Sequence, residues 1–176
     1  MVAVLALVSA GWVAAEWKES GKVVPDQPWV KSAGEFGVQL VFTNKPEEHF
    51  ATSERAVPAV VFSQAATAKR GVMIVGLIYF FGCATDNSGD CDATARFTVY
   101  NPEGKRWINP EVKELWVGKP PPPKGQMQLS KAHMGIVVEP GDPLGIYKVK
   151  VEVTDKIANK TLVLERTFTA IESDMK

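Results

Sequence analysis

The segment Tyr147-Lys148-Val149-Lys150-Val151-Glu152-Val153-Thr154 changes character at every residue. Tyr147, Val149, Val151 and Val153 fall on one face, and Lys148, Lys150, Glu152 and Thr154 fall on the other. A period of two marks a strand with one face on a core and one face in water. Working outward, Val72–Phe81 reads VMIVGLIYFF and is apolar on both faces. Its β-branched and aromatic content predicts a central strand covered on both sides. It is too short to cross a bilayer. Further short apolar runs lie at Phe36–Thr43, Ala59–Ser63, Thr94–Asn101, Glu114–Val117, Gln126–Leu129, Met134–Glu139 and Lys160–Ala170. Turn residues separate them, among them Asn44-Lys45-Pro46, Lys69-Arg70-Gly71, Asn101–Gly104 and Glu139–Pro143. Short strands with this punctuation predict an all-β sandwich or barrel. Only Pro46–Ala56 has helix-like composition, enough for one or two turns.

Of the 176 residues, 45% are hydrophobic, which is ordinary for a globular chain. Twenty Lys and Arg balance twenty Asp and Glu. A zero balance supplies no broad basic field, so no nucleic-acid partner is expected.

Residues 1–15, MVAVLALVSAGWVAA, carry no charged side chain. Val13-Ala14-Ala15 puts small or modest residues at the −3 and −1 positions of a cleavage site after Ala15. This is the layout of a secretory signal peptide. Glu16, Lys18 and Glu19 end the run short of the ~20 apolar residues a membrane anchor needs. Residues 16–34 are polar, with Pro25, Pro28, Trp17 and Trp29, and read as an N-terminal linker or arm. The folded domain is expected over 35–173. Cys83 and Cys91 enclose ATDNSGD. Two thiols this close pair across a tight loop in an oxidising compartment. Closing so short a loop stabilises the fold by about 2.5 kcal/mol on chain-entropy grounds.

Asp142-Pro143-Leu144-Gly145-Ile146-Tyr147 enters the alternating strand through a Gly, with the Tyr just before the first core Val. It resembles the corner before the sixth strand of immunoglobulin-like sandwiches, where a Tyr hydroxyl bonds back to the backbone upstream. Followed by Lys148–Asp155, it is similar to the penultimate strand of bacterial secreted immunoglobulin-like modules, with Thr161–Ala170 as the last strand. The resemblance implies an immunoglobulin-like antiparallel β-sandwich of about seven to nine strands with little helix. Asp142, Gly145 and Tyr147 would be its structural corner. Gly82-Cys83 through Cys91, Leu115–Pro120 and Glu139–Gly145 also resemble a group of exported bacterial proteins. That likeness implies fold and a periplasmic or extracellular location, and no particular activity.

Few residues stand out as chemistry. Asp86, Ser88, Asp90 and Asp92 have the alternate spacing of part of a calcium loop. The later bidentate Glu of such a loop is absent, and a polar turn held by Asx side chains explains the same residues. No cofactor is expected, with calcium at this loop the alternative. His49 and His133 form no metal motif, and no Gly-x-Ser-x-Gly elbow or phosphate-cradling loop is present. Lys119-Pro120-Pro121-Pro122-Pro123-Lys124 is a stiff connector or a polyproline docking segment. Trp107 and Trp116 either cap the core or stack on a sugar. The expectation is an exported, non-catalytic binding or assembly module acting through sandwich loops or an edge strand. Its partner would be an unidentified protein or glycan, with no transmembrane segment in the mature chain. A carbohydrate- or cell-wall-binding module using exposed Trp, and a hydrolase or an inhibitor of one, are the alternatives.

Overall fold

The computed structural model describes residues 17–19, 22–51, 54–58 and 65–173. The expected signal peptide and the expected strand at Ala59–Ser63 lie outside these. Strand accounts for 59% of the described residues and helix for 3%, so they are nearly all β. In chain order the elements are β1 (Lys18–Glu19), β2 (Lys22–Val23), β3 (Val30–Ala33), β4 (Phe36–Thr43), α1 (Pro46–Phe50), β5 (Val57–Pro58) and β6 (Thr67–Lys69). There follow β7 (Ile74–Phe81), β8 (Cys91–Tyr100), β9 (Arg106–Lys119), β10 (Gln126–Ile136), β11 (Gly145–Asp155) and β12 (Lys160–Ile171). Two five-stranded sheets result, in the orders β3-β4-β7-β10-β5 and β6-β12-β11-β8-β9, beside the two-stranded β1-β2 ribbon. β6 pairs in parallel with β12, and the other pairings are antiparallel.

The sheets share one core. Phe36, Val38, Leu40 and Phe42 of β4 and Ile74, Ile78 and Phe80 of β7 meet Phe97 and Val99 of β8, Val149, Val151 and Val153 of β11, and Leu164 and Phe168 of β12. β11 buries the face that its alternation marked. All eight residues of β7 are buried, flanked by β4 and β10. Its other face joins Val41, Met127 and Leu129 in a second cluster with Trp17 and Val30.

That cluster revises the reading of 16–34. Trp17 is 1% exposed, its ring centroid is 4.8 Å from that of Phe81, and its indole N–H donates to the Lys31 carbonyl at 3.3 Å. Val30–Ala33 is an edge strand on β4. The segment looked like a linker because its few apolar anchors are spaced among polar residues. The outer face of β7 supplies what they pack against.

Two further differences have local causes. The expected strands Gln126–Leu129 and Met134–Glu139 are one strand, β10, whose register shifts between Leu129 and His133. The shift interrupts the alternation and splits one strand into two apparent runs. β9 is far longer than Glu114–Val117, because its irregular pairing with β8 hides its period.

Two polar fixtures hold the ends. At the lower end the Tyr147 hydroxyl, on a fully buried residue, donates to the Pro143 carbonyl at 2.8 Å. The Asp142 carboxylate accepts from the Glu139 N–H at 2.9 Å, and Arg70 donates to the carbonyls of Glu139 and Asp142. Gly145 takes φ +127°, a conformation side chains resist. At the other end Asp155 is fully buried, and its carboxylate accepts from the N–H groups of Ala84, Ile157 and Ala158 at 2.8, 3.1 and 3.0 Å. It thereby caps the β11–β12 hairpin and pins the chain leaving β7. Cys83 and Cys91, both buried, are bonded at 2.07 Å just beside it.

Asp155→Ala leaves three partly buried donors without their acceptor, so it should cost about 2 kcal/mol, read as a lowered urea midpoint at neutral pH. Gly82 separates two kinds of glycine cost. A Cβ there would lie 1.8 Å from the Glu35 carbonyl oxygen at φ +66°, whereas Gly89, at φ +86°, has nothing within 4 Å. Gly89→Ala should lose about 1 kcal/mol to backbone conformation alone. Gly82→Ala should lose several times that in the same titration, and equal losses would show that the Gly82–Glu35 approach is not tight.

Candidate functional site

A cleft of about 630 Å³ opens where the end of β9 meets β10. Trp116 and Lys119 come from β9, Gln128, Ser130, Lys131 and His133 from β10, and Phe50 and Glu54 from α1 and the turn beyond it. The proline run creates this juxtaposition. Pro120–Pro123 carries the chain from the edge of one sheet to the other and returns it as β10, and Pro121–Pro123 also border a smaller cleft beside Phe81 and Cys83.

Trp116 is half-buried. Its ring lies 5.3 Å from Phe80, its indole N–H donates to the Pro120 carbonyl at 2.9 Å, and the Lys119 ammonium sits 4.9 Å over it. A slip in the β8–β9 register puts Leu115 between the paired positions Trp116 and Glu114, so Leu115 and Trp116 both reach the core. Trp107 sits at the other end of β9, roughly 30 Å away at strand rise. It packs 5.1 Å from Tyr147, which stacks on Phe168. The two indoles therefore share no surface.

The same cleft gathers a histidine, a serine and a carboxylate, but not in a relay. Ser130 is buried and its hydroxyl donates to the Ala132 carbonyl at 3.1 Å. His133 is exposed, with Nδ1 3.0 Å from the Lys131 carbonyl and Phe50 edge-on at 5.3 Å. His49 is elsewhere, half-buried, with Nδ1 2.8 Å from the Tyr79 hydroxyl. Burial lowers the His49 pKa, against the pull of Glu48 and Glu47. Burial also pushes the Tyr79 phenol up to about 12.

The cysteine loop is a polar turn. Asp86 accepts from the N–H groups of Ser88 and Asp90 at 2.8 and 3.1 Å, and Asp92 pairs with Lys156 at 2.9 Å. Among the described residues no three His, Cys, Asp or Glu side chains are grouped to hold a metal ion. Also among them, no helix is long and apolar enough to cross a membrane. Sequence reasoning passed over Gln128, Asp155 and Arg166. For Arg166 the signal was present: it occupies a core-facing register on β12, between Leu164 and Phe168.

No protein-family model and no curated protein matches the chain. Solved structures similar to it include a family 123 glycoside hydrolase from Clostridium perfringens, at 13% identity and TM-score 0.45, over 77% of this chain and 27% of that one. A β-glucuronidase from Parabacteroides merdae aligns at 15% identity and TM-score 0.36, over 62% of this chain and 13% of its own. The chain thus spans about a quarter and about an eighth of the two enzymes. A structural-genomics target, SoR45, aligns at 10% identity and TM-score 0.38, over 83% of this chain and 93% of that one.

The His49 environment has a pH consequence. Its folded pKa lies below the unfolded value of 6.5, so the unfolded chain binds the extra proton first. The stability this neutral imidazole contributes should be complete above 6.5 and decline as pH falls through the folded value. An NMR titration should show the His49 ring protonating at lower pH than a histidine in a denatured chain. A midpoint at or above 6.5 would contradict the burial.

Proposed function

We propose that this chain is an exported, non-catalytic binding module with an immunoglobulin-like sandwich, and that the β9–β10 cleft is its contact surface. The cleft carries the reading. It sets an indole held in place on three sides beside Lys119, Gln128 and Lys131, which is the mixture of apolar wall and sparse polar groups that ligand sites use. Its Ser130 hydroxyl is taken up by the Ala132 carbonyl and its His133 Nδ1 lies against the Lys131 carbonyl, which favours binding over nucleophilic chemistry.

Three features support the immunoglobulin-like topology. The chain runs from β7 across to the β8–β9 pair, back to β10 beside β7, and across again to β11 beside β8. β6 lies parallel to the last strand, β12. A Tyr hydroxyl at the start of the penultimate strand bonds to the backbone four residues upstream. The buried disulfide fits an oxidising compartment and so supports export.

A glycan partner is the second reading, favoured by Trp116 at the cleft wall. Trp107, sunk against Tyr147, does not extend that platform.

The test uses a glycan array and a pull-down from periplasmic extract, each with wild type, Trp116→Ala and Lys119→Glu. Lys119 is exposed, so its variant leaves the core untouched even where Trp116→Ala disturbs Phe80. A bound species should appear with wild type and fall at least tenfold with both variants. Binding indifferent to both moves the surface elsewhere. Turnover of an ester or glycoside that dies on His133→Ala overturns the non-catalytic reading.

A further inference from the structure

On β12 the side chains of Leu162, Leu164, Phe168 and Ala170 point into the core. Arg166 takes the position between Leu164 and Phe168 in that row. A guanidinium drawn out of water needs a counter-charge or a full set of acceptors. Arg166 has neither among the described residues. It forms no salt bridge there, and its single hydrogen bond, Nη1 to the Leu40 carbonyl, is long at 3.4 Å. Its flat face is better served: Cζ lies 4.8 Å over the Trp29 ring and 6.0 Å from that of Phe42. Burial lowers its pKa to about 10, which still leaves it charged at neutral pH. The plane of the fork is therefore held, while the N–H donors along its edge, none of them buried without a partner, face the solvent-filled cleft.

Those donors border a cleft of about 410 Å³, walled by Pro28, Trp29, Ala66, Thr167 and Lys148. Glu165 also lines it, with its carboxylate 3.9 Å from Lys148. The walls are fixed by backbone bonds from Leu40 to Trp29 at 2.9 Å and from Glu165 to Pro28 at 2.7 Å. The sheet orders put this cleft on the β3–β12 side of the sandwich, opposite the Trp116 cleft.

We infer that this cleft binds a free carboxylate group, accepted side-on by the Arg166 fork with Trp29 holding the guanidinium plane and Lys148 adding a second positive charge. A carboxylate is the planar anion whose two oxygens match two parallel N–H donors. The site is separate from the β9–β10 cleft and does not depend on what that cleft binds.

The experiment is an NMR titration of ¹⁵N-labelled protein with N-acetylphenylalanine, its amide, glucuronate and glucose. The acid of at least one pair should shift the Trp29 indole N–H and the Arg166 Nε–H saturably, with a midpoint on the order of 1 mM. Its neutral counterpart should not. A response to N-acetylphenylalanine alone names a peptide-like source, and one to glucuronate alone a saccharide. Arg166→Met should abolish the response, and Arg166→Lys, which keeps charge without the fork, should weaken it at least tenfold. Melting of Arg166→Met checks its fold. It should stay close to the wild-type temperature, because the donors removed face solvent rather than a structural partner. Equal response to acid and neutral forms, no saturable response to either acid, or wild-type affinity in Arg166→Met overturns the assignment. A large fall in melting temperature on Arg166→Met would instead make the arginine a structural stack on Trp29.

Discussion

The strand Ile74–Phe81 has no polar face to give to water, and the rest of the molecule is arranged around that constraint. One side of it, through Ile74, Ile78 and Phe80, is closed by the second sheet. The other side, through Val75, Leu77, Tyr79 and Phe81, would leave four large side chains on the surface, each forgoing roughly 1.5–3 kcal/mol of burial. Trp17 of the N-terminal segment covers part of it, with His49 against Tyr79 and Val57 against the same cluster. Ordering that segment costs about 1–2 kcal/mol per residue in backbone entropy, which is why its anchors are large and few: Trp17 on Phe81, and Val30 beside them. Gly37 belongs to the same constraint. It sits opposite Phe81, and the ring lies over it so closely that a Cβ would fall 2.1 Å from the ring.

This division explains what was legible. β11 and β4 could be read from the chain because each keeps an unbroken regular pairing: the expected Phe36–Thr43 is the observed strand, and β11 extends one residue beyond Ile146–Thr154 at each end. The regular registers preserve the period that sequence patterns carry. β9 and β10 could not, since each inserts residues that break the period. The insertion at Leu115 also decided the fate of Trp116: no sequence pattern reveals that neighbouring residues both turn inward. β5 and β6, of two and three residues, are too short to hold any period at all. The cysteine loop was legible in chemistry but not in detail. Its carboxylates serve backbone donors and Lys156, and the residue that anchors the region, Asp155, lies far along the chain.

Arg166 is a different kind of miss. Its inward register follows from the same alternation that identified the last strand, in the run Leu162-Val163-Leu164-Glu165-Arg166-Thr167-Phe168. A charge in a core-facing register conflicts with the local rule, and such conflicts concentrate where a protein binds something. The conflict went unread because a strand was sought, and one polar residue does not abolish a strand.

The positions of the two clefts have a common physical cause. Both broad faces are spent: the outer side of the first sheet carries Trp17 of the N-terminal segment together with His49 and Val57. The outer side of the second is solvated and paired within itself, as in Lys150–Glu152 and the Thr154–Thr161 hydroxyls. Exposed pairs of that kind add little stability. What remains are the two margins where the sheets part. There an inward-pointing residue is only half enclosed, so it need not be aliphatic. A Trp that exceeds the space available or an Arg that retains its charge is tolerated at a margin and would be costly two strands further in. Trp116 and Arg166 occupy such places at opposite margins, each steadied by a stacking partner, Phe80 in one case and Trp29 in the other. In a sandwich with filled faces the seams are where side chains can belong to the core and face outward at once, which is the arrangement that the proposed binding at both clefts requires.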